Sequence, residues 1–118
     1  MMPVRLTIIG TPRTKKNSMQ RTRNGGLIQG KGWRDYERTA VITPTVQLPV
    51  GRYNVRALVY REANRGDLLN YLAGTSDLME KRGVVTNDRQ FLAWDGSRMF
   101  VDRARPRVEV EISDLEDT

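Results

Sequence analysis

The sequence contains neither cysteine nor histidine. Without thiols it can build no disulfide framework and no thiolate metal site. Without imidazole it lacks the commonest general base and the commonest zinc ligand. Acid, base or metal chemistry therefore falls to carboxylates, Lys, Tyr or Arg. Long apolar runs are missing too: nothing approaches the roughly 20 residues of a membrane span, and the short apolar stretch within Met1–Gly10 does not make a signal peptide. A cytoplasmic protein is expected.

Acid is the third scarcity, and it is local. No Asp or Glu precedes Asp35, and residues 1–66 carry 13 Lys or Arg against 3 acids, a balance of +10. Residues 67–118 carry 7 against 11, a balance of −4, which leaves the whole chain at +6. A half-chain this basic calls for a polyanionic partner, and nucleic acid is the best reading of it; the acids gathered in the other half suit a cation site or a solvated face. At 118 residues the chain makes a single domain.

What is present organises itself around residues 65–89. Val4–Ile9 alternates like a strand and is broken by Gly10-Thr-Pro-Arg. Residues 11–32 show no apolar period; Arg13, Lys15, Lys16, Arg21, Arg23 and Lys31 are interspersed with Gly25, Gly26, Gly30 and Gly32, so a flexible basic loop suited to gripping phosphates is expected there. Trp33, Tyr36 and Ala40 predict a short helix from Arg34 to about Thr43, ended by Pro44. Arg52–Arg61 alternates as a strand with Tyr53, Val55, Ala57 and Val59 inward. Asp67 is placed to cap a helix that stops at Gly83, with Leu68, Leu72, Thr75 and Met79 on its core face and Gly74 marking a close backbone approach. Phe91–Trp94 and Met99–Val101, joined through Asp95-Gly96-Ser97, predict a hairpin. Arg107–Ile112 predicts a last strand, followed by an acidic tail at 113–118. The fold class that follows is α/β: a mixed sheet with two principal helices.

The order of these pieces resembles the RusA family of Holliday junction resolvases, small endodeoxyribonucleases of phages and prophages. Asp67, Leu68 and Asn70 match the family's Asp-Leu-Asp-Asn motif at a helix start, Asp77 falls at its helix Asp, and Asp88 matches the second member of its Asp-Asp pair. Gly10-Thr-Pro-Arg-Thr-Lys-Lys-Asn17 and Pro106-Arg-Val-Glu-Val-Glu-Ile112 are similar to the family's two ends, so the resemblance spans nearly the whole chain. It implies a homodimer that cuts branched DNA in recombination and repair, with Mg²⁺ or Mn²⁺ held by Asp67 and Asp88; Asn70, Asp77, Arg65 and Arg89 are candidate supporting residues, the two Arg as substitutes for the motif's Lys. Three positions depart from the pattern. Leu69 stands at the motif's second Asp, Ala73 at its Lys and Asn87 at the first Asp of the pair.

Within one protomer Asp77 cannot make good the missing ligand, although a partner chain could supply it to the other site. It lies ten residues beyond Asp67, about 15 Å along a straight helix and roughly 80° round it. A helix-surface salt bridge or a dimer contact is expected for it instead. Without the resemblance, Asp67 is a plain N-cap and Asp88 a turn residue. Two further readings stay open: a RusA-like protein that binds junctions without cutting them, and an unrelated basic nucleic-acid-binding module.

Overall fold

In a computed structural model, which describes residues 3–15, 19–21, 23 and 27–115, the alternating segments become the strands of one six-stranded mixed sheet. The first strand, β1, is Val4–Ile9, and its alternation buries Leu6 and Ile8. It pairs antiparallel with β8, Arg107–Asp114, and β8 in turn pairs antiparallel with β5, Tyr53–Arg61. These three strands place Leu6, Ile8, Val55, Ala57, Val59, Val108, Val110 and Ile112 in one core. The two helices supply the other side of that core: α1, Lys31–Thr39, through Trp33 and Tyr36, and α2, Leu68–Lys81, through Leu72, Leu78 and Met79. The result is a single α/β domain with two helices, as the patterning predicts.

The helix α2 begins and ends where its sequence signals lie. The Asp67 carboxylate accepts the backbone N–H of Asn70 at 3.0 Å, satisfying one of the free donors of the first turn, and Gly83 follows the helix with φ +78°. Gly74 is where the backbones crowd. A Cβ there would meet the Trp33 ring at 3.0 Å and the Arg13 carbonyl oxygen at 3.3 Å.

Three expectations change. The first helix spans Lys31–Thr39 rather than 34–43, because Ala40 turns extended and Val41–Thr43 pairs with β1 as edge strand β4. Three residues, all of them β-branched, thus leave the helix for a sheet partner that lies far away in sequence. The basic segment 11–32 is not all loop: β2, Met19–Arg21, pairs antiparallel with β3, Leu27–Gln29, a ladder too short for periodicity to reveal.

The third change concerns the predicted hairpin. β6, Phe91–Ala93, and β7, Arg98–Val101, do not pair with each other; both run parallel to β5, one after the other along its free edge. Asp95-Gly96-Ser97 is therefore an interruption within one edge rather than a reversal. Its polar groups are taken up by β5: Ser97 Oγ accepts the Ala57 N–H at 3.0 Å, and Asn54 Oδ1 accepts the Asp95 N–H at 2.9 Å. Among the described residues no helix is long and apolar enough to cross a membrane.

Candidate nucleic-acid and metal site

The site candidates lie along α2 and on the turn after it. Both carboxylate oxygens of Asp67 are engaged by Asn70, one by its backbone N–H at 3.0 Å and the other by its Nδ2 at 2.9 Å. Asn70 thus supports Asp67 directly. Asp67 itself is exposed.

Asp88 opens a short 3-10 turn, Asp88–Gln90, capped by Asn87, whose side chain accepts the Arg89 N–H at 2.8 Å. The turn is tied to the helix by two contacts. Glu80 Oε2 accepts the Asp88 N–H at 2.6 Å, and Ser76 Oγ lies 3.5 Å from Asp88 Oδ2 as a donor. Ser76 and Glu80 share a stripe of α2 with positions 69 and 73, since steps of four, three and four residues keep the side chains within about 60° of arc. Asp88 therefore packs on the helix face that carries Leu69 and Ala73. Leu69 is 78% exposed on it.

Among the described residues, Asp67 and Asp88 share no hydrogen-bonding partner. Asp67 is engaged at the helix start, and the Asp88 contact at Ser76 is nine residues, about 14 Å, further along the axis. The donor atoms are oxygens, as a hard cation requires. Among the described residues, however, no group of three or more acidic side chains is gathered for a metal ion.

Asp77 points elsewhere. Its Oδ2 lies 2.9 Å from Lys15 Nζ and 3.5 Å from Lys81 Nζ, so two ammonium groups flank one carboxylate. The cluster extends further: Lys81 also contacts Glu37 at 2.7 Å, and the same Glu37 oxygen accepts the indole N–H of Trp33 at 2.9 Å. The hydrogen bond to Glu37 is the main cause that holds the Lys81 ammonium above its ordinary range. Lys15 Nζ also stands 5.4 Å from the Trp33 ring centroid, a cation–π contact.

The predicted phosphate grips are divided by this geometry. Arg13 is paired with Glu62 at 3.0 Å and Lys15 with Asp77, so the root of the basic segment is pinned to acids of the domain. Lys31 and Arg23 are exposed, as are Arg65 and Arg89 near α2. Lys16 lies outside the described residues, and so does the side chain of Arg21.

The segment before Asp67 is fixed from beneath. The Arg61 guanidinium is buried and donates to the carbonyls of Phe100 and Arg65 and to Asn64 Oδ1. The Tyr71 hydroxyl donates to the same Arg65 carbonyl at 3.0 Å, and burial raises its pKa, which keeps it a donor. Sequence reasoning passed over Ser76, Glu80, Glu62 and Arg61. Ser76 and Glu80 were open to discovery, because they continue the helical stripe of Leu69 and Ala73. The Arg13–Glu62 pair and the Arg61–Phe100 bond cross the fold, and the local Arg61 bonds to Asn64 and Arg65 fall in an irregular segment with no periodic pattern.

Among known proteins, no family model matches the chain and no curated protein matches it.

Proposed function

We propose that the protein is a RusA-like, homodimeric endodeoxyribonuclease acting on four-way DNA junctions. The observation that carries the reading is the relation between α2 and the turn after it. A carboxylate caps the helix, a second sits on a turn packed against the helix, and the face beneath that turn carries positions 69 and 73, where the family has its second Asp and its Lys. A strongly basic first half supports a nucleic-acid substrate. Twofold symmetry of a junction supports a C₂ dimer, which delivers paired cuts.

Asp67 and Asp88 as placed do not meet at one ion, their anchoring points lying about 14 Å apart along the helix axis. Mg²⁺ would be held by either carboxylate alone, with waters and phosphate oxygens completing its shell, since this ion works with one or two carboxylates. When bound, the ion supplies Lewis-acid polarisation of the phosphodiester and an acidified water. The chain's own part is to fix geometry: Asn70 orients the Asp67 carboxylate, while Glu80 and Ser76 hold the Asp88 turn to the helix. Arg65 and Arg89, exposed near the two carboxylates in sequence, are the cations available to meet phosphate charge.

A second reading is favoured by Leu69. An exposed apolar side chain on the Asp88 face, where the family has a carboxylate, leaves Asp88 without a neighbouring acidic ligand among the described residues, which suits a junction-binding protein that does not cut. A labelled four-way junction, incubated with Mg²⁺ or Mn²⁺ and then with EDTA, separates the two. Symmetric nicks that vanish in EDTA and in Asp67→Asn support the nuclease; Asn is also a good N-cap, so the helix start survives the change. Tight junction binding without nicks at any metal concentration replaces the nuclease with the binding protein, and absence of all nucleic-acid binding removes both.

A further inference from the structure

The helices cover one face of the sheet, and the opposite face carries a row of side chains that the proposed cutting chemistry leaves unused. Strand register sets Val41, Ile9, Arg107, Tyr60 and Phe100 side by side across β4, β1, β8, β5 and β7. At the usual strand spacing this row is about 19 Å long. Three of its planar groups form a column. The Tyr60 and Phe100 rings stack with centroids 5.0 Å apart at 19°, and the Arg107 guanidinium carbon lies 3.9 Å from the Tyr60 centroid on the other flank.

The column is held rigid from one end and open at the other. Arg107 is fixed by Asp102 at 2.9 Å and Glu109 at 3.1 Å. Phe100 lies on an outer strand, and its side chain is 38% exposed. A large aromatic standing in water at a sheet edge, with its neighbours already stacked, offers a further stacking surface. Around it the charge is positive: residues 98–107 contain Arg98, Arg103, Arg105 and Arg107 against one acid, Asp102. Arg98, Arg103 and Arg105 are exposed, and among the described residues no hydrogen bond or ion pair engages their guanidinium groups. At the other end of the row, a cavity of about 550 Å³ opens between Ile9, Thr11, Arg105, Pro106 and Arg107, beside the start of the basic segment.

We infer that this open sheet face binds unpaired nucleic-acid strand, one base continuing the Arg107–Tyr60–Phe100 column on the outer side of Phe100 and the backbone running past Arg98, Arg103 and Arg105. Stacking platforms ringed by cations are what single strands use, because every base has a π-face and every linkage a charge. The inference rests on the nucleic-acid reading above and adds to it a second surface, on the face of the sheet opposite the helix that carries Asp67. Such a surface holds the strands exposed where a branched DNA opens.

The test is fluorescence anisotropy of a labelled oligo(dT) and of a duplex of equal length, at one salt concentration, with the wild-type chain, Phe100→Ala, Phe100→Leu and Phe100→Trp. Stacking of one base on Phe100 predicts that Ala and Leu each weaken oligo(dT) binding about tenfold, that Trp restores it, and that duplex binding is unchanged. Equal oligo(dT) affinity of Phe100→Leu and the wild type overturns the proposal, since Leu keeps the apolar volume and removes only the π-face. Wild-type protein that binds duplex or junction but not oligo(dT) overturns this inference and leaves the proposed function standing. Protein that binds neither overturns both. Sedimentation of the same variants without DNA covers the remaining occupant: a change of mass on Phe100→Ala makes the face a contact between two copies and overturns the strand-binding assignment. Photocrosslinking of a 5-bromouracil oligonucleotide supports the proposal when the adduct maps to Tyr60 or Phe100 and contradicts it when it maps elsewhere.

Discussion

Glu80 holds Asp88 to helix α2: its carboxylate accepts the Asp88 backbone N–H at 2.6 Å, one turn beyond the Ser76 hydroxyl that faces the Asp88 carboxylate. A side chain outside the quoted resemblance thus positions one that carries it. Glu80→Ala removes a charge-assisted bond and is expected to cost about 1–2 kcal/mol in urea unfolding. Junction binding should persist in this variant, while any metal-dependent nicking should fall, because the turn that carries Asp88 is released.

Leu69 is the position at which chemistry can be added with little structural cost. It is 78% exposed, so Leu69→Asp should change stability by no more than about 0.5 kcal/mol. Combined with Ala73→Lys, also exposed on the same stripe, it should create or raise Mg²⁺-dependent nicking of a four-way junction. A double variant that folds, binds the junction and gains no nicking counts against placing the site on this face.

Gly74 should resist substitution although it sits inside a helix. Ala is intrinsically better there by about 1 kcal/mol. Yet the added methyl meets the fully buried Trp33 at 3.0 Å, and the Arg13 carbonyl at 3.3 Å bars retreat on the other side. Overpacking of about 1–3 kcal/mol should outweigh the propensity gain. Gly74→Ala is therefore expected to lower the thermal midpoint, and Gly74→Val to lower it further.

Arg61 is a buried cation whose hydrogen bonds go to two carbonyls and one amide oxygen. Arg61→Met keeps much of the aliphatic volume but strands these acceptors, at about 1–3 kcal/mol for each that water cannot reach. Denaturant unfolding should show a loss of about 2–4 kcal/mol, and hydrogen exchange should rise in 62–67, the segment leading into the Asp67 cap.

Lys81 makes stability fall on the alkaline side. Its folded pKa is raised, first by the hydrogen bond to Glu37 and then by Asp77. Its contribution is therefore complete below the unfolded value, about 10.4, and is lost as pH rises through the higher folded value. Lys81→Met should be less stable than wild type at neutral pH, with the difference shrinking above about pH 10.4. Paired urea titrations across that range measure the difference.

Much of this was legible from sequence because it depends on neighbours within a few residues. The strands β1, β5 and β8 follow from alternation, and both ends of α2 from Asp67 and Gly83, since caps and periodic faces are local features. The basic half and the candidate carboxylates were equally plain, charge being a matter of composition. The β4 strand and the parallel placement of β6 and β7 were not. Val41–Thr43 and Phe91–Val101 are too short to declare their partners, and their pairing is decided by which edge of β1 and β5 remains free once the core has formed.

What the sequence by itself determined is the three long strands and the central helix, the poles of charge and the residues able to carry chemistry. Tertiary structure alone decided which of those residues meet. It turned Asp77 toward Lys15 and Lys81, pinned Arg13 to Glu62, and set Asp88 over Ser76 and Glu80 on the face of Leu69. It also aligned Arg107, Tyr60 and Phe100, from three separate strands, into one column. The reason is that side-chain pairing across a sheet or between a helix and a loop depends on register and packing, which are properties of the closed fold and not of any stretch of chain.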